Sequence, residues 1–76
     1  MTHETRMLTF CANIRSLRTR NRLSKQTMAR ILGIGVKTLT TLESGVVPRR
    51  LGSSVLIRAA EFFGISTDAL FLPLGE

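Results

Sequence analysis

Apolar residues recur along this chain at steps of three and four, the period of a helix that buries one face, and alternating apolar–polar segments are nearly absent. In the first segment Met7, Phe10, Cys11, Ile14, Leu17 and Arg18 share one face, and the polar Asn13, Arg15, Ser16 and Arg20 are assigned to the other. Asn21-Arg22 breaks the pattern. Ser24 then offers a hydroxyl to the free amides of a second helix, whose inward side is Met28, Ala29, Ile31 and Leu32, and Gly33 ends it. Only Ile34 and Gly35 separate this from a third pattern, Val36, Leu39 and Leu42, which Gly45 stops. The stretch 46–52 holds Pro48, Arg49 and Arg50 and reads as an exposed loop. Ser53 or Ser54 is expected to cap a fourth helix with Val55, Leu56, Ala59, Phe62 and Phe63 inward and Gly64 at its end. Ser66 caps a last short turn with Ala69 and Leu70, closed by Pro73. The expectation is an all-α bundle of five short helices.

At 76 residues the chain makes one domain, 1–76, with 1–5 and 73–76 expected to fray. A chain of this size buries only about 60% of its unfolded surface, so its core has to be well patterned. The balance of 11 Lys and Arg against 5 Asp and Glu gives a net charge of +6, and of the basic residues only Arg58 lies beyond Arg50. So positive a field on so small a body favours polyanions, nucleic acid before anionic membrane surfaces. The lone cysteine, Cys11, forms no intrachain disulfide and sits on the apolar stripe, as a core side chain would. That usage fits a reducing cytoplasm, the expected location. No apolar run approaches a membrane span, and the first residues lack a signal-peptide pattern.

The most informative unit runs from Leu23 to Gly45. Two short helices meet at the tight turn Gly33-Ile34-Gly35, with Ala29 where they would cross closely and Ile34 and Leu39 filling their angle. This is the pattern of a helix-turn-helix, with a motif core at 24–45. The segment from Leu23 to Ile34 followed by Val36 to Gly45 resembles the Cro/cI-type (XRE) helix-turn-helix family. So do the frame Ile14-Arg15-Ser16-Leu17-Arg18 before it and Phe62 to Leu70 after it. The resemblance covers roughly residues 8 to 72. It implies a lambda-repressor-like five-helix bundle that binds double-stranded DNA, regulates transcription as a repressor, and works as a homodimer, at least on DNA. Arg18 continues the apolar stripe of the first helix and Glu43 that of the third. An unpaired buried charge is very costly, so the two are expected to form an ion pair, as in the family.

With Leu39, Leu42 and Glu43 inward, the helical step turns Lys37, Thr41 and Ser44 outward, flanked by Thr38 and Thr40. Carried over by position, the family's base-reading residues fall on Val36, Lys37, Thr40 and Thr41, on a recognition helix over 36–44. Lysine can donate to guanine O6 or N7, and valine and threonine methyls can meet the thymine methyl. The resemblance places Lys25, Gln26 and Ser44 at the DNA backbone, with Thr38 beside them and Arg49 and Arg50 gripping from the loop. Gly35 departs from the usual hydroxyl cap of this helix. Arg15, Arg20 and Arg22 read as solvated.

The C-terminal run 69–74 is more apolar than one helical face requires, which marks Phe71, Leu72 and Leu74 as a possible homodimer patch. No catalytic set, metal-ligand cluster or phosphate-cradling loop stands out, so no enzyme activity, cofactor or metal is expected. An antitoxin-like or adaptor module that binds a protein partner through the same fold is the alternative. RNA or membrane-surface binding by charge alone is a weaker one.

Overall fold

The computed structural model describes residues 3–48 and 51–73, with side chains from Arg6 onward. Helix α1 spans His3–Arg20, α2 Lys25–Leu32, α3 Val36–Glu43 and α4 Ser53–Phe63, followed by a 3-10 turn at Asp68–Phe71. No strand occurs among these residues. The fifth helix expected from the sequence is thus a single 3-10 turn. Its span is too short for repeated i to i−4 bonding before Pro73, and it closes instead by the Leu72 N–H donating to Ala69 O at 3.2 Å. Ser66 Oγ accepts from Ala69 N at 3.1 Å, which holds the start of that turn. Helix α1 begins within the stretch 1–5 that was expected to fray.

Helix α2 packs on both α3 and α4, while α1 packs on α3 and on the 3-10 turn. One core results. Phe10, Cys11, Ile14 and Leu17 enter it from α1, Met28, Ala29 and Leu32 from α2, Leu39 and Leu42 from α3, Val55 and Ala59 from α4, and Leu70 from the turn. Phe71 stacks on Phe10 with centroids 5.2 Å apart, and the Arg6 guanidinium lies 5.3 Å from the Phe71 ring.

Asn13, expected on the polar face, is buried at 5% exposure. Its Nδ2 donates to Leu70 O at 2.7 Å and Leu72 O at 2.8 Å, so the amide ties the C-terminal segment to α1. It lies between Phe10 and Leu17 on the buried stripe, at i+3 and i−4, and is there to satisfy carbonyls that a hydrophobe would leave bare. Phe62, expected inward, is 55% exposed and meets Phe63 edge-on at 4.9 Å. The buried stripe of α4 is Val55, Ala59 and Ala60, with Leu56 and Phe63 half-buried, which leaves Phe62 on its flank. Neither Ser53 nor Ser54 caps α4. Gly52 takes the extended cap conformation, φ −86° and ψ 165°, and both serines lie inside the first turn. The loop before it is less exposed than expected, because Val47 and Leu51 pack against the core.

Candidate nucleic-acid interface

Two features of the chain fix where α3 sits. Ser24 caps α2 with its Oγ accepting from Thr27 N at 3.1 Å, and Gly33 closes α2 in the left-handed region at φ 73°. The chain therefore reverses within Ile34 and Gly35, and the buried Ala29 lies in the α2 wall against which α3 and α4 pack. On α3 the period of the apolar residues decides the rest. Leu39 and Leu42 are fully buried, so Lys37, Thr40, Thr41 and Ser44 face outward, and Val36 is 42% exposed at the start of the helix.

The end of α3 is locked to α1 by ionic hydrogen bonds. Arg18 Nε donates to Glu43 Oε2 at 2.7 Å and Nη2 to Oε1 at 3.0 Å, a bidentate pair. Arg18 Nη1 also donates to Leu23 O at 3.0 Å, so one guanidinium joins α1, the turn before α2, and α3. The side chains are only 16% and 5% exposed, and the bond to Glu43 pushes the arginine further up from its already high pKa. The expected Arg18–Glu43 pair is present.

A family profile described as a helix-turn-helix domain matches residues 12–75. The chain belongs to that family. Its two-helix unit is α2 and α3, and the match extends over α4 and the 3-10 turn as well. No curated protein and no solved structure matches the chain.

In this helix-turn-helix domain the outward residues of α3 are held in different ways. The Thr41 hydroxyl donates to Lys37 O at 3.0 Å and the Ser44 hydroxyl to Thr41 O at 2.6 Å, which fixes both side chains on the helix. Lys25 Nζ reaches across from α2 to Thr40 Oγ1 at 3.5 Å. Gln26 is exposed beside it, while Thr38 is half-buried and faces the hollow between α3 and the start of α4. Gly35 caps α3 without a side-chain hydrogen bond. Arg49 and Arg50 lie outside the described residues.

Arg15, read from the sequence as solvated, lines the same groove of about 230 Å³ as Lys25, Thr40 and Ser44. The floor of that groove is the Arg18–Glu43 pair, so the carboxylate there is already neutralised and does not oppose an anion. The signal was available, because Arg15 lies one turn before Arg18, which faces α3.

Of the residues proposed as a dimer patch, Phe71 is half-buried against Phe10, Leu72 is 53% exposed, and Leu74 lies outside the described residues. Among the described residues no helix is long and apolar enough to cross a membrane.

Proposed function

We propose that this helix-turn-helix domain binds double-stranded DNA sequence-specifically, with α3 in the major groove, and regulates transcription as a cytoplasmic repressor of the Cro/cI type. The observation that carries the reading is the pairing of a rigid mount with a free face. The buried Arg18–Glu43 pair fixes α3 from behind, while Val36, Lys37, Thr40 and Thr41 stand exposed along its outer side. Such a helix presents side chains at a set depth, as reading base edges requires. Lys37 is the guanine donor of the set, and Val36 and the threonines supply methyl contacts. Lys25, Gln26, Thr38 and Ser44 serve the backbone, with Arg49 and Arg50 from the loop. The protein is a binding module and not an enzyme, and two copies act together on DNA.

Selection from a randomised duplex pool at two salt concentrations tests this. A recovered palindromic motif with half-sites about 34–36 Å apart, one helical turn, supports a dimeric sequence reader. Steeply salt-dependent binding without a motif means that the positive surface holds the backbone alone. Absence of binding in both salts turns the reading to a protein partner.

A further inference from the structure

All four helices of this domain end in the same way. The Leu23 N–H donates to Arg18 O at 2.9 Å, Ile34 N–H to Ala29 O at 2.9 Å, Val46 N–H to Thr41 O at 3.2 Å, and Ile65 N–H to Ala60 O at 3.0 Å, each spanning five residues. This closure requires the preceding residue to be left-handed. At three of the four ends that residue is a glycine, Gly33 at φ 73°, Gly45 at φ 99° and Gly64 at φ 67°. At the end of α1 it is Arg22, at φ 55°, the one non-glycine residue with positive φ among those described. A side chain with a Cβ is disfavoured there, and arginine lacks the short polar group by which Asn or Asp eases the cost.

The turn's backbone bonds hold Arg22 in that conformation, but its own side chain offsets none of the cost. Arg22 is exposed, and its guanidinium makes no hydrogen bond, ion pair or ring contact with a described residue. Its position, however, is tightly set relative to α3. The next residue, Leu23, gives its carbonyl to Arg18 Nη1, and Arg18 grips Glu43 at the end of α3. Three residues on, Lys25 touches Thr40 on the exposed face of α3. Arg22 is thus a cation at a strained position, anchored by two links to the helix that faces the groove.

We propose that Arg22 is a further DNA-backbone contact, a charge held at a conformational cost for a phosphate beside the recognition helix. The proposal rests on the DNA-binding reading above. Outliers of this kind are unfavourable in the free fold and find their use at binding sites.

The test uses Arg22→Gly, which relieves the strain and removes the charge, and Arg22→Lys, which keeps both. Thermal unfolding and duplex binding across a salt series are measured for each. Arg22→Gly is expected to raise the unfolding midpoint by roughly 4 °C. It should also weaken binding alike on a selected motif and a scrambled duplex, with a salt slope shallower by about 1. Arg22→Lys should match the wild type in slope and midpoint. If Arg22→Gly binds with the wild-type slope while the wild type binds DNA normally, Arg22 makes no contact and this proposal alone falls. If its midpoint does not rise, the claim of a conformational cost falls. A wild-type chain that binds no duplex at any salt overturns both this proposal and the reading beneath it.

Discussion

Replacing Glu43 by glutamine is the sharpest test of how this domain mounts its third helix. The change keeps shape and removes charge. It leaves the Arg18 guanidinium facing an amide, whose NH2 can oppose one of its two forks, at a site where the partners are 16% and 5% exposed. Breaking a fully buried pair costs about 3–5 kcal/mol. Two features reduce that here: the arginine keeps some solvent, and its Nη1 retains the bond to Leu23 O. A loss of about 2–3 kcal/mol follows. A domain of this size has a total stability of roughly 4–11 kcal/mol, so the loss is a large fraction of it. The unfolding midpoint, followed by circular dichroism, should fall by about 10–20 °C. The double replacement Arg18→Met with Glu43→Leu should recover part of this, since two apolar groups leave no stranded charge. An Arg18–Glu43 pair of negligible worth would show as a Glu43→Gln midpoint within about 2 °C of wild type, and that result would refute the mounting argument.

Two further perturbations probe separate parts of the fold. Asn13→Ala removes the donor shared by the carbonyls of Leu70 and Leu72, and should cost about 1–3 kcal/mol with earlier proteolysis of the C-terminal segment than in wild type. A Cys11→Ala chain treated alike serves as the blank for the second, in which Cys11 resists alkylation in the folded protein. Burial both covers this thiol and pushes its pKa up, so the thiolate is scarce at neutral pH and its labelling rate should follow unfolding. The sign is that of an acid whose charged form is disfavoured by folding: stability on this account declines as pH rises above the ordinary thiol value. Rapid labelling at neutral pH without unfolding would contradict the burial of Cys11.

The features that could be read from the sequence are those where one residue type has one physical use. Ser24 capped its helix because a hydroxyl just before a helix accepts from the free amides of its first turn. Gly33 and Gly64 closed theirs because the left-handed residue after a helix favours glycine. The Arg18–Glu43 pair was legible on similar grounds: two opposite charges on apolar stripes must meet. Asn13 was not, since polarity alone assigned it to the surface, while its burial depends on carbonyls more than fifty residues away in sequence. Phe62 failed in the other direction. An apolar side chain one step off the buried stripe has no partner element in so small a core, and it stays in solvent. The cap of α4 fell to Gly52 because the backbone entering that helix is extended one residue earlier than the serines suggest. For the interface, α3's outward set followed from periodicity and Arg15's place in the groove from its spacing to Arg18, but Arg22's strained backbone depends on how α1 ends against the α2–α3 unit.

The central claim is that the exposed face of α3 reads bases, and Lys37 decides it most directly. Wild-type protein and Lys37→Ala are titrated against the motif recovered from the duplex pool and against a scrambled duplex of equal length, at fixed salt. The account predicts a loss of about 5- to 150-fold on the motif, the span of one good base contact, with a much smaller change on the scrambled duplex. An equal loss on both duplexes, or none on either, would mean that Lys37 reads no base and that this face is not the source of specificity.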